Sequence, residues 1–161
     1  MKIDTNKITF RKATIRDIDI LIEGRIIFLA ETYGTPSQEI ISNLKKSLKD
    51  YFTRAFTNNS YFSWIAEYGN KPVGFSGLSL REQPGNFDVP NGKTGYILNM
   101  YTVREFRKNG VCTSLLKKLI EESKQLNLDR IELRATSEGE PLYRKMGFGE
   151  PHDKEMELKL T

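Results

Sequence analysis

Apolar residues recur along the chain at two different periods, and the changes between them predict its elements. Ile8 and Phe10 alternate with polar neighbours over 7–12, the pattern of a half-buried strand. Thr14 and Asp17 are then spaced like a capping box. Ile15, Ile18, Leu21, Ile22, Ile26 and Leu29 follow at helical spacing, to about residue 30. The run Gly34-Thr-Pro-Ser37 breaks that helix, and Ser37 can cap a second one carrying Ile40, Ile41, Leu44, Leu48, Tyr51 and Phe52. After a turn at 58–60, residues 61–67 and 72–80 have strand composition and are joined by a short turn at 68–71, which predicts a hairpin. Gly74 and Gly77 inside the second strand mark a bulge or a close approach. Residues 81–94 are rich in Gly, Pro and Asn, have no period, and read as a loop.

A short apolar and aromatic strand follows over 96–103, and from Val111 onward apolar residues at 111, 115, 116, 119, 120 and 126 mark one helix face. The chain then predicts a strand over 130–135, a short helix with Leu142 and Tyr143 that ends near Gly147, and a closing strand over 155–160. In that last segment Met156, Leu158 and Leu160 alternate with charged residues. The order β, α, α, β, β, β, α, β, α, β is α/β in the mixed α+β sense: a mixed sheet with helices on its faces.

The stretch from Gly95 to Leu116 carries the chemistry. Between its strand and its helix lies Arg107-Lys-Asn-Gly-Val-Cys112, a basic loop with a glycine that opens directly into a helix. Such a loop offers free backbone N–H groups and the positive end of a helix to an anion, which makes it a phosphate cradle. Arg-x-x-Gly-x-Cys at 107–112 resembles the Arg/Gln-x-x-Gly-x-Gly/Ala loop of the acetyl-CoA-dependent N-acetyltransferase superfamily called GNAT. Pro141-Leu-Tyr-Arg-Lys-Met-Gly-Phe148 is similar to the Leu-Tyr-x-x-x-Gly-Phe segment that this family places downstream of its loop. The two matches stand in family order, cover Gly95 to Phe148, and imply a GNAT-like, mostly antiparallel central sheet with helices on both faces.

Composition narrows the setting. A chain of 161 residues suits a single domain over 1–161, able to bury roughly two-thirds of its unfolded surface. Charged residues at 29% and hydrophobic ones at 38% fit a globular protein. No apolar run approaches the ~20 residues that cross a bilayer, and the Met1 end lacks an apolar signal core, so a cytoplasmic protein without a membrane partner is expected. The lone cysteine, Cys112, has no internal partner for a disulfide. The net charge is +4, and Arg104, Arg107, Lys108, Lys117 and Lys118 cluster around the loop and its helix, which locally favours a polyanionic ligand over a merely basic surface; with no basic run or stacking motif, nucleic acid is not expected. No metal-ligand spacing is present, and a homodimer is left open.

Acetyl transfer needs an anchored thioester, a neutral amine, an oxyanion donor and a proton for the leaving thiolate. Backbone amides of Lys108, Asn109, Gly110, Cys112 and Thr113 are placed to hold the pyrophosphate, with Arg107 adding charge or bracing the loop. The resemblance implies that the strand over 96–103 splays from its neighbour, so that backbone groups of Met100 and Thr102 pair with the pantetheine arm and an N–H serves the oxyanion. It also places the junction of the first two helices over the acceptor site, where Glu31 and Tyr33 would receive a cationic amine. Tyr143 is the candidate general acid. The family often uses a carboxylate near this strand as base; here the strand offers Asn99, which would orient a water. Cys112 stands where the family has Gly or Ala, and a thiol at a helix N-terminus can have a lowered pKa, so a cysteine nucleophile is a competing reading. The leading expectation is an acetyl-CoA-dependent N-acetyltransferase acting on a small-molecule or peptide amine. The alternative is a non-catalytic acyl-CoA-binding module.

Overall fold

The computed structural model describes residues 3–161. Strand β1 (Ile8–Lys12) leads through a 3-10 turn into α1 (Ile18–Tyr33), and α2 (Gln38–Thr57) follows. The Thr14/Asp17 capping box forms as expected. Thr14 N–H donates to the Asp17 carboxylate, and Thr14 Oγ1 accepts from the Arg16 amide. Ile15 lies in that turn, outside the helix, and is half exposed. Ser37 caps α2, its hydroxyl accepting from the Ile40 amide.

The predicted strand over 61–67 is two pieces, β2 (Tyr61–Phe62) and β3 (Trp64–Tyr68). Buried Ser63 separates them, because its polar groups are used sideways: its carbonyl accepts from the Ala13 amide, and its hydroxyl donates to the Ser76 carbonyl at 2.6 Å. The turn Tyr68-Gly-Asn-Lys71 has positive φ at both Gly69 and Asn70, the geometry that suits a two-residue hairpin loop. Strand β4 (Lys71–Glu82) and strand β5 (Lys93–Thr102) are longer than expected. Both ends of the 81–94 segment extend their hairpin, with Arg81 opposite Thr94 and Glu82 opposite Lys93, and 83–92 form the loop between them. Its tip is pinned by buried Val89.

Helix α3 (Val111–Gln125), strand β6 (Ile131–Leu133) and helix α4 (Glu140–Lys145) complete the elements. The strands lie in the order β1-β3-β4-β5-β6, with β2 also on β4, and every pairing is antiparallel except β5 with β6. Helices α1 and α2 cover one face through Leu21, Ile22, Leu48 and Phe52, which pack on Ile65, Phe75 and Tyr101. On the other face Val111, Leu115, Leu116 and Leu119 of α3 pack on Ala66, Val73, Leu78 and Ile97. Leu115, Leu116 and Leu119 are fully buried, and each stabilises the fold by about 1.5–3 kcal/mol. Gly74 and Gly77 mark close approaches: a Cβ at Gly74 would lie 2.7 Å from Val111, and one at Gly77 would lie 2.1 Å from the Tyr61 hydroxyl.

The expected closing strand over 155–160 does not form. Met156, Leu158 and Leu160 are 85%, 83% and 86% exposed, and the segment pairs with no strand. Its attachment is electrostatic, through Arg134 to Glu155 at 2.9 Å and to Glu157 at 3.2 Å.

Candidate active site

Strand β5 changes its twist at one residue. Phe75 stands opposite Tyr101 and Gly77 opposite Leu98, so two steps on β4 match three on β5. The extra residue is Asn99, whose φ of 56° is a left-handed value that asparagine tolerates better than most side chains. Its side chain is buried and fixed at both ends: Nδ2 donates to Tyr61 Oη at 2.9 Å, and Oδ1 accepts from the Arg25 guanidinium.

Pairing between β5 and β6 stops at Ile97 opposite Leu133, so the remainder of β5 has an open edge. The Val103 amide donates to Val73 on β4, and strand residues alternate in direction. Met100 and Thr102 therefore aim their backbone groups at the open side. The Thr102 carbonyl already accepts from Arg107 Nε at 2.9 Å. Thr102 Oγ1 is the buried side-chain polar atom left without a partner among the described residues.

The loop after β5 meets α3 at Gly110, whose φ of 77° favours a residue without a side chain, although nothing lies within 4 Å of a Cβ placed there. Lys108 is also left-handed, with φ 62°. The first internal bond of α3 is donated by the Ser114 amide to the Gly110 carbonyl. Among the described residues no acceptor meets the amides of 108–113, so a run of N–H groups faces outward at the positive end of the helix. Asn109 braces the loop from within by donating to the Phe106 and Arg107 carbonyls.

Arg107 points away from this run. Its Nη2 lies 2.5 Å from Glu31, and the Tyr101 hydroxyl donates to the same carboxylate at 2.9 Å. The Arg107 hydrogen bond holds the Glu31 carboxyl below its ordinary range, with Tyr101 assisting. Tyr33 is 77% exposed at the end of α1.

Tyr143 of α4 packs edge-on to Phe148 with ring centres 5.9 Å apart, inside the cluster that holds Leu116 and Leu119. Burial, and then the nearby Cys112, push its phenol above the ordinary tyrosine value, so it is protonated at neutral pH. Burial also pushes the Cys112 thiol up, to about 11. The thiol therefore lacks the lowered pKa that a helix N-terminus can give, because burial disfavours the thiolate. His152 is fully exposed, with its ring 3.1 Å from the Asp153 carboxylate. Among the described residues no group of His, Cys, Asp and Glu side chains could hold a metal ion, and no helix is long and apolar enough to cross a membrane.

Arg25 is the site residue that periodicity passed over. It falls between Ile22 and Ile26 within the apolar stripe of α1, and that position was the signal available in the sequence.

An outward run of amides, an open strand edge and a protonated phenol together suit a thioester carried on a phosphorylated handle. Residues 28–148 match the model of the acetyltransferase (GNAT) family, and the chain belongs to that family. It is 34% identical to a predicted acetyltransferase from Clostridium acetobutylicum whose structure contains acetyl-CoA. That alignment covers 95% of this chain and 96% of the other, with a TM-score of 0.87. A GCN5-related N-acetyltransferase from Ralstonia eutropha is 25% identical over 94% of this chain and 98% of its own, with a TM-score of 0.82. Glucosamine-6-phosphate N-acetyltransferase from Arabidopsis thaliana shares the fold at 16% identity, covering 96% of this chain and 99% of its own with a TM-score of 0.70. No curated protein is similar enough to match the chain. The protein is thus an acetyl-CoA-dependent acyltransferase by family, and the free amides of 108–113 fit its pyrophosphate.

Proposed function

We propose that the chain transfers acetyl from acetyl-CoA to a primary amine of a small molecule or peptide by direct attack. The observation that carries this is the free amide run at the start of α3 beside the open edge of β5. Amides of Lys108, Asn109, Gly110, Cys112 and Thr113 hold the pyrophosphate, and Arg107 braces the loop rather than touching it. Backbone groups of Met100 and Thr102 receive the pantetheine arm, and the Met100 N–H is the oxyanion donor.

The amine enters as the free base from the α1/α2 side, and its nitrogen forms a bond to the thioester carbon. The tetrahedral adduct collapses, the carbon–sulfur bond breaks, and the surplus proton of the nitrogen leaves to solvent. Tyr143, kept protonated by burial, acts as the general acid toward the departing sulfur and regains its proton from solvent. Asn99 serves by shaping the bulge that aims Met100, since both ends of its amide are already bonded. We place such an enzyme in the cytoplasm.

A second reading, a non-catalytic acyl-CoA-binding module, is favoured by one observation: Glu31, the carboxylate expected near the acceptor, is committed to Arg107 and Tyr101. Thiol release from acetyl-CoA against a panel of amines separates the two. Amine-dependent release supports transfer, and tight acetyl-CoA binding without release for every amine supports the module.

A further inference from the structure

The charges of α1 do not balance locally. Its three carboxylates all have cationic partners: Asp19 has Lys49 at 3.7 Å, Glu23 has Lys45 at 2.6 Å, and Glu31 has Arg107 at 2.5 Å. Its one cation, Arg25, has no carboxylate within 4.0 Å among the described residues; its guanidinium bonds to the neutral Asn99 amide. Arg25 is also half-buried on the sheet side of the helix, against the bulge of β5. Withdrawing a cation from water without a counter-charge is costly, so such a site gains by accepting an anion.

Its support is rigid. The Tyr61 ring is fully buried and packs on Phe52 at 5.0 Å between centres; its hydroxyl holds Asn99, and Asn99 holds Arg25. A guanidinium fixed through one N–H keeps others free for two parallel bonds to a carboxylate or phosphate. Asn99 is the neighbour of Met100, so the free charge lies close to the backbone edge where transfer takes place, on the side from which the acceptor arrives.

We propose that Arg25 is a specificity-determining residue that binds an oxyanion, carboxylate or phosphate, on the acceptor amine. This rests on the N-acetyltransferase reading and deepens it: the acceptor is an anionic amine rather than a polycation. The carboxylate that would have attracted a polycation, Glu31, is neutralised by Arg107.

The test compares acceptors that differ only in the anion: an α-amino acid with its carboxamide, and phosphoethanolamine with ethanolamine. With saturating acetyl-CoA, kcat/KM should favour the anionic member of at least one pair by tenfold or more. The pair that shows it tells carboxylate from phosphate. Arg25→Gln, whose amide can still donate to Asn99, should reduce that preference ratio at least tenfold, and Arg25→Lys should restore part of it. Calorimetric titration of the same four probes into the protein–CoA complex provides a readout independent of turnover. If amines are acetylated without any anion preference, the inference fails and N-acetyl transfer stands. If no amine is turned over, transfer fails, and anion-selective binding lost in Arg25→Gln would still support the role of Arg25. Equal binding of charged and uncharged probes, or none, overturns it. Should Arg25→Gln not fold, Arg25→Lys decides: a preference ratio below the wild-type value supports the role of Arg25, and an unchanged ratio overturns it.

Discussion

Arg107 Nη2 lies 2.5 Å from a carboxylate oxygen of Glu31, 76 positions away in the chain, and this contact joins the end of α1 to the loop that begins α3. Through Nε the same guanidinium holds the Thr102 carbonyl. One side chain therefore fixes the helix end, the strand end and the loop together. Glu31→Gln keeps the shape and removes the charge. With both partners about a third exposed, the loss is about 0.2–1 kcal/mol, seen as a roughly 1.4- to fivefold weaker acetyl-CoA affinity by calorimetry. Because Glu31 is held below its ordinary value of 4.5, its contribution is present above that pH and is lost as pH falls through the lower folded value. Identical affinities for the two proteins at pH 7 would detach Glu31 from the loop.

Gly110 tests the cradle itself. Gly110→Asp puts negative charge beside the free amides and should weaken acetyl-CoA binding at least tenfold, about 1.4 kcal/mol. Gly110→Ala has room for its methyl group, since nothing lies within 4 Å, but must hold a φ of 77°. Its melting transition should reflect a cost of about 1–2 kcal/mol, with a smaller change in affinity. Unchanged affinity in a folded Gly110→Asp protein would remove the loop from the binding site.

Cys112 should behave as an unreactive thiol. Raising its pKa from 9.0 to about 11 lowers the thiolate fraction at pH 8 by roughly a hundredfold, and iodoacetamide labelling should slow in proportion relative to an exposed thiol. Cys112→Ala should keep most of the activity. Rapid labelling, or loss of turnover in Cys112→Ala with acetyl-CoA binding intact, would restore the cysteine nucleophile.

The strand–loop–helix core was legible because several signals agreed there: a short apolar run, a glycine at a turn into a helix, and a long helical stripe. The segment over 155–160 had a strand's period without a partner edge. Alternation specifies which residues share a face, but not whether another backbone comes within hydrogen-bonding reach, and here Arg134 engages the segment through side chains alone. Ser63 shows the reverse case, in which one buried hydroxyl interrupts a run that composition alone would call continuous. Which of its two expected roles Arg107 takes, and any role for Arg25, were hidden because their partners, Glu31 and Asn99, lie 76 and 74 positions away, and only the folded sheet brings them together.

Tyr143→Phe separates enzyme from binding module. The substitution keeps the ring that packs on Phe148, so the fold should be retained, while the hydroxyl is lost. If that hydroxyl assists departure of the thiolate, kcat should fall by roughly 10²-fold or more with acetyl-CoA affinity little changed. The pH profile adds a second constraint. The phenol works in its protonated form, and burial raises its pKa above the ordinary value of 10.0. Tyr143 should therefore cause no loss of kcat between pH 7 and pH 10, where an exposed phenol would begin to titrate. Measured with the best amine of the panel, equal kcat values for the two proteins would exclude Tyr143 from the reaction. A lowered melting temperature with unchanged kcat would assign it to packing.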